Sequence, residues 1–314
     1  MTRVRDARRR LAAAEDLRSI VRTMKAMSAA AIRQFEDAEA ALREYDRTVH
    51  RGLQAVLRVV PATEAGLVRE AAASGRSDPP RILLAIGSDL GMCGSLNHQV
   101  VQRVRESMPE DPDAAASVRL LAVGSRLADL LPGAVGPLQA RFAAPASAAA
   151  VTASAATVLA AIDPLLAGHA DASLRVVFPR RTTAAAHAVH VRRILPLDRR
   201  WLASLRAEPW PTRCLPAWPG SARQVLQRFL FEYLFVATAR SLVDALASEH
   251  AARLASMQSA ERSIDDRIAT LGHRLRQARQ ADITHELLDI VAGFEALRET
   301  GHRDDDGDGG RDAP

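Results

Sequence analysis

Residues 21–56 read VRTMKAMSAAAIRQFEDAEAALREYDRTVHRGLQAV. Apolar and small side chains recur there in alternating steps of three and four: Val21, Met24, Ser28, Ala31, Phe35, Ala38, Leu42, Tyr45, Val49, Gly52 and Val56. That spacing keeps one stripe of an α-helix apolar over its whole length, and such a stripe requires a partner helix of similar length to cover it. From Val4 to Val60 there is no proline, and Gly52 is the only glycine. Pro61 ends the pattern, because its ring cannot continue a helix.

The partner lies at the other end of the chain. Residues 221–298 are again free of proline, and Ser221, after Pro219 and Gly220, is a candidate N-cap. The later half steps by three and four through Leu254, Met257, Glu261, Ile264, Ile268, Leu271, Leu275 and Ala278, with Glu261 the one charged residue in the seam. At about 1.5 Å per residue, this helix would run on the order of 115 Å, more than a globular domain needs. A lever, spacer or shaft is implied, with the two terminal segments paired as an antiparallel coiled coil. The run Phe229–Val236 is apolar almost all round, which predicts burial against a further layer.

That layer is the middle of the chain. Residues 81–87 (RILLAIG) and 118–124 (VRLLAVG) are apolar runs ending in glycine, and Leu174–Phe178 and Val189–Leu195 are two more strand candidates. Asn97–Ser107 and Ala148–Leu166 read as helices between them. The alternation predicts a small, mostly parallel, Rossmann-like α/β sheet. Stretches 61–80, 109–117 and 198–220 read as connections. The expected organisation is therefore an N-terminal coiled-coil helix (1–60), an α/β middle domain with its connections (61–220), a C-terminal coiled-coil helix (221–298) and a disordered acidic tail (299–314).

Composition agrees with long helices. Of 314 residues, 48% are hydrophobic but only 4% aromatic, and much of the apolar count is alanine, which enters helices at little entropic cost. The net charge is +5, carried almost wholly by arginine, since Lys25 is the only lysine. Arg3, Arg5, Arg8, Arg9 and Arg10 cluster at the start, either as a solvated helix face or as a surface for an acidic partner. Cys93 and Cys214 show no metal-ligand or redox spacing, which suits a reduced chain. Neither a signal peptide nor a membrane-spanning run is expected.

Few constellations carry chemistry. Gly87-Ser-Asp-Leu-Gly91-Met-Cys93-Gly94-Ser-Leu-Asn97 follows a strand and precedes a helix, where backbone N–H groups can cradle phosphate. Its spacing fits neither the dinucleotide fingerprint nor the P-loop, so Gly87, Gly91, Cys93 and Gly94 read as a packing turn. His285-Glu286-Leu-Leu-Asp289 has Asp where a zinc site needs its second His. Asp304–Gly309 imitates the start of a calcium loop without the closing Glu or exit helix. His187 and His190 have no carboxylate or cysteine pattern around them. No catalytic site, cofactor or metal is expected.

At three places the chain resembles the gamma subunit of F-type ATP synthases. These are Ile20-Val-Arg-Thr-Met24-Lys25-Ala-Met27-Ser-Ala-Ala, the Gly87–Asn97 turn, and the C-terminal stretches Ala247-Ser-Glu249-His-Ala-Ala-Arg253-Leu-Ala-Ser-Met257 and Ala278-Arg279-Gln280-Ala-Asp-Ile283-Thr284-His-Glu286-Leu-Leu-Asp-Ile290-Val291. Order and spacing hold from Val4 to about Leu297, and the last match is the most specific. Leu90 stands where the family has Arg, and Ser95 where it has Gly. With the near absence of lysine, these departures resemble the divergent, alternate-operon bacterial type, a class associated with sodium as well as proton transport.

The resemblance implies a central-stalk rotor. It would turn inside a ring of alpha and beta subunits, rest on the membrane c-ring, hold the epsilon subunit and couple H+ or Na+ flow to ATP turnover. Its place would be peripheral, on the cytoplasmic face of the bacterial inner membrane. Carried over by motif, Arg279, Gln280, Thr284 and Glu286 would be polar contacts to the catch loops of alpha and beta, with Met24 and Lys25 in the same lever region. Two rivals from other classes are an arginine-rich coiled coil that binds nucleic acid and a nucleotide-dependent α/β enzyme using the Gly87–Gly94 turn.

Overall fold

The computed structural model describes residues 2–60, 80–166, 172–182 and 187–305. In chain order its elements are α1 (Thr2–Val59), β1 (Arg81–Ile86), α2 (Leu96–Glu106), α3 (Pro112–Ala116), β2 (Val118–Val123), α4 (Ser125–Ala134), β3 (Ala140–Phe142), a 3-10 turn (Ala148–Ala150), α5 (Val151–Leu166), β4 (Ser173–Arg181), β5 (His187–Leu195), α6 (Arg199–Ala207) and α7 (Ala222–Asp305). The chain divides into two compact units, Met1–Thr23 with Gln258–Pro314, and Met24–Met257.

In the first unit α1 and α7 pair through the seam that the periodicity predicts. Ala14 and Val21 of α1 and Leu271 and Leu275 of α7 are buried. Arg18 Nη1 lies 3.4 Å from Asp265 Oδ1, and Arg22 Nε 2.8 Å from Glu261 Oε1. As the number rises by four on one helix it falls by four on the other, so the pair is antiparallel. Glu261, the odd charge in the seam, is accounted for by Arg22.

The second unit is built on a five-stranded sheet of order β3-β2-β1-β4-β5, parallel except for the β4–β5 pair. Both faces are covered, as a mostly parallel sheet requires. Leu83, Ala85, Leu120, Ala122 and Val177 face α2 and α4 through Val100, Val104, Leu127 and Leu131. On the opposite face Ile82, Leu84, Ile86, Leu121, Val123, Val176 and Phe178 meet α5, Phe35 of α1 and Ala239–Ala247 of α7. A separate cluster joins Val49, Leu53, Val56 and Leu57 of α1 to Leu202 and Leu205 of α6 and Leu226 of α7.

Several elements differ from the sequence reading. α3 and α6 lie in stretches 109–117 and 198–220, which read as connections. Each begins at an aspartate whose side chain caps it, Asp111 accepting from Asp113 N and Asp198 from Arg200 N. β3 and α4 had no separate signal; three residues are too few for an alternation, and Pro132 disguises α4. α7 continues to Asp305, past the expected end at residue 298 and through Gly301, with no proline to stop it. Residues 306–314 of the expected tail and 61–79 of the first connection lie outside the described residues.

In the run Phe229–Val236, Val236 is buried and Phe229, Leu230, Tyr233, Leu234 and Phe235 are half-buried against the core, while Phe231 is 51% exposed. The longest unbroken buried run of α7 is Ser241–Glu249, where it packs against the sheet. Alanine and serine let the helix axis approach the sheet closely, whereas a phenylalanine-rich segment would hold it off. Ala148–Leu166 is long and apolar enough by composition to cross a membrane. Its Val151, Ala155, Val158 and Ile162 are built into the sheet core.

Candidate functional site

The Gly87–Asn97 turn is closed by its own side chains. Ser88 N donates to Asn97 Oδ1 at 3.1 Å, Asn97 Nδ2 donates to Ser88 Oγ at 2.8 Å, and Ser88 Oγ donates to the Leu90 carbonyl at 2.7 Å. Cys93 is buried, with Sγ 3.5 Å from Ser88 Oγ. A Cβ on Gly87 would fall 2.6 Å from Asn97 Oδ1, and Gly94 has φ +64°. Gly91 has open space around it and is the least constrained of the four.

Asp89 belongs to the turn's working parts, although no sequence pattern singles it out. Its Oδ1 accepts from Ser125 N at 2.6 Å and its Oδ2 from Ala144 N at 3.0 Å. One carboxylate thus caps the start of α4 and ties down the chain after β3. The partners lie far away in sequence, which is why no local motif showed the role.

At the carboxyl ends of β1 and β4 the strand order changes direction, the place where open α/β sheets hold nucleotides. Here α7 lies across it. Ser248 Oγ donates to the Pro179 carbonyl at 3.2 Å, and Ala252 packs on Cys93 and Leu96. α7 thus packs on the turn and on β4 at the place where the enzyme reading puts a ligand.

Beside the turn is an open cleft of about 400 Å³, lined by Met24, Leu90, Asp89, Glu249, His250 and Arg253 among others. Arg253 and Glu249 are a buried pair one helical turn apart, with Arg253 Nη2 donating to Glu249 Oε1. Burial pushes the Glu249 carboxyl up, Arg253 opposes this, and Asp89 adds to it. Burial and the Arg253 charge hold His250 down at about 4, so it is neutral at pH 7 while its ring stacks on Phe35. Arg253 Nε is buried and makes no hydrogen bond among the described residues.

The residues expected to touch partners fall in two places. Met24 lines this cleft, with half-buried Lys25 next to it. Arg279, Gln280, Thr284 and Glu286 belong to the other unit and are all exposed on α7. Thr284 Oγ1 donates to the Gln280 carbonyl at 2.9 Å. Beyond half-buried Asp282 the described side chains are exposed, including Ile283, Leu287, Leu288, Ile290 and Val291 at 52–60%. His285 Nδ1 lies 3.5 Å from Asp289 Oδ1, one turn along and in solvent, so the near miss to a zinc motif is a helix-surface pair.

Arg10 pairs with Asp6, Arg18 with Asp265, Arg22 with Glu261, Arg43 with Glu39, Arg181 with Glu36 and Arg240 with Asp46.

A protein-family model described as ATP synthase matches residues 3–297. The ATP synthase gamma chain of Anaeromyxobacter sp. (strain Fw109-5) is 26% identical over 302 residues, 95% of this chain and 100% of that one. That of Paramagnetospirillum magneticum is 26% identical over 298 residues, with the same coverage. Among solved structures, a chain of the Euglena gracilis mitochondrial ATP synthase (OSCP/F1/c-ring, rotational state 3) matches with TM-score 0.65 at 19% identity, covering 95% of each chain. A chain of the Tetrahymena thermophila mitochondrial ATP synthase, central stalk and c-ring, matches with TM-score 0.53 at 20% identity over 77% of this chain and 99% of that one.

Proposed function

The chain belongs to the ATP synthase gamma-chain family, and from that premise we propose that it is the central-stalk rotor of an F-type ATP synthase. It couples rotation driven by H+ or Na+ flow to ATP turnover at catalytic sites that alpha and beta subunits carry. The gamma chain itself contributes contacts rather than chemistry. Its partners are alpha, beta, epsilon and the c-ring, and it sits peripherally on the F1 side, in a bacterium at the inner membrane.

The observation that carries this reading is the end of α7. A helix that leaves Ile283, Leu287, Leu288, Ile290 and Val291 in solvent needs an enclosing partner, because exposed apolar patches of this kind mark interaction surfaces. Arg279, Gln280, Thr284 and Glu286 share that segment and offer exchangeable polar contacts. A rotating part gains from such contacts, which can be broken and remade at each step, where one deep apolar interface would hold it still. The cleft lined by Met24, Leu90 and Arg253 offers a second contact surface.

Co-expression with the neighbouring alpha, beta and epsilon subunits tests the assignment. A tagged chain should bring down an ATPase ring whose hydrolysis pumps ions. If the tagged chain folds but comes down alone, the rotor assignment fails.

A further inference from the structure

We propose that the end of the chain where α1 finishes and α7 begins docks on an anionic bilayer, its arginines meeting lipid phosphates and the 208–220 loop entering the headgroup layer. α1, α6 and α7 are held together there by Leu53, Leu57, Leu202, Leu205 and Leu226, with Trp201 and Trp218 packed against them. Residues 48–60 and 199–230, which make up this end, contain eight arginines and a single carboxylate, Glu208. The flanking carboxylates are engaged, since Asp198 accepts from Arg200 N and Glu232 from Tyr45 Oη, both at 2.8 Å.

Six of these arginines, Arg51, Arg200, Arg206, Arg213, Arg223 and Arg228, are exposed and form no ion pair among the described residues. Elsewhere exposed arginines sit with carboxylates, as Arg43 with Glu39, Arg47 with Glu44, Arg103 with Glu106 and Arg141 with Asp129. The excess of positive charge is therefore local. Long, untethered guanidinium side chains follow a spread of negative charge such as a layer of headgroups.

The loop between α6 and α7 supplies the apolar half. Trp210 Nε1 donates to Thr212 Oγ1 and to the Cys214 carbonyl, both at 3.0 Å, and Thr212 Oγ1 donates to the same carbonyl at 2.8 Å. Pro209, Pro211, Pro216 and Pro219 fix φ at four more points. So folded, the loop holds Leu215 42% exposed, with Trp210 and Trp218 half-buried on either side of it in sequence. The Trp210 N–H is already satisfied, so its ring can leave water without stranding a donor. Leucine, proline and indole beside arginine is a composition that enters the boundary between headgroups and acyl chains, and a preformed loop loses little entropy there. Nucleic acid would use the arginines and leave Leu215 and the prolines in water.

All three tryptophans of the chain, Trp201, Trp210 and Trp218, lie at this end, so intrinsic fluorescence reports on it alone. The full chain is mixed with vesicles of phosphatidylcholine containing about a quarter phosphatidylglycerol, and with phosphatidylcholine alone. It should float with the first at low salt and not with the second, and about 0.5 M salt should release it. Brominated acyl chains in the anionic vesicles should quench the emission, and Trp210→Phe with Trp218→Phe should remove most of that quenching. Arg206→Ala with Arg213→Ala and Arg223→Ala should weaken partitioning by about a hundredfold, at about fivefold for each arginine. Leu215→Ser should weaken it severalfold. Arg5→Ala with Arg8→Ala and Arg9→Ala removes the same charge from the start of α1 and should cost far less.

No flotation, flotation without quenching, full binding by Leu215→Ser, or equal loss in the two triple variants overturns the proposal. So does tighter binding to a short DNA duplex at the same salt, which would assign the arginines to nucleic acid. Should a variant fail to fold, quenching in the wild-type chain decides. The vesicle experiment uses the chain alone, so its outcome is separate from that of co-expression with the ring subunits.

Discussion

Arg22 Nε donates to Glu261 Oε1 at 2.8 Å, binding the N-terminal helix to the one charged seam position of the C-terminal helix. The carboxylate raises the Arg22 pKa through this hydrogen bond, yet the guanidinium stays in solvent. A leucine at position 261 would complete the apolar stripe without leaving a buried charge behind. Glu261→Leu should therefore leave the melting temperature unchanged or raise it by a few degrees, while Glu261→Ala should lower it. A drop in Glu261→Leu comparable to that in Glu261→Ala would show that the ion pair contributes more than its exposure suggests.

Gly124 has φ +105°, and a Cβ there would lie 2.8 Å from the Gly87 carbonyl carbon, a backbone atom with nowhere to go. Gly124→Ala should cost about 1–3 kcal/mol in urea unfolding. Gly91→Ala, in open space, should cost far less.

Arg253→Met removes the partner of a buried carboxylate. It should destabilise the chain by about 3–5 kcal/mol, and adding Glu249→Leu should recover much of the loss. If the double variant is no better than the single one, packing rather than charge is what Arg253 supplies.

His250 is held down at about 4 by burial and Arg253. Its folded value lies below the unfolded one, so the unfolded chain takes up the proton first. Stability is full above about pH 6.5, falls as pH drops from there, and levels off below the folded value. Denaturant midpoints measured across this range should show the decline, and His250→Gln should flatten it.

Arg279→Ala with Gln280→Ala alters two exposed side chains. Circular dichroism and melting of the isolated chain should be unchanged. In the assembled ATPase, coupled proton or sodium pumping should drop severalfold. Undiminished coupling would remove both residues from the contact set.

How much of this was legible in the sequence differs by element. The α1 and α7 seams were readable because a heptad stripe states both a helix and its need for a partner, and Val21, Phe35, Leu271 and Leu275 are buried where the period put them. Four of the five strands were readable as short apolar runs ending in turns. β3 was not, since it is held by its neighbour and not by its own pattern. The family resemblance rested on specific local strings such as Ala278–Val291.

The site was less legible. Sequence spacing put Asp89, Glu249, His250 and Arg253 inside family-like stretches without giving any of them a task. Their roles depend on burial and on partners remote in sequence, as with Asp89 on Ser125 and Ala144. His50 likewise meets Trp201 of α6 and Tyr233 of α7, both remote from it in sequence.

The sequence by itself determined the two long helices, their antiparallel pairing and a Rossmann-like middle, because periodicity is a property of the local chain. Only the tertiary structure decided that α7 packs on the turn after β1, that one aspartate caps a distant helix, and that a histidine meets two aromatic rings. Those outcomes come from desolvation and contact between segments far apart in sequence, which no window of neighbouring residues encodes.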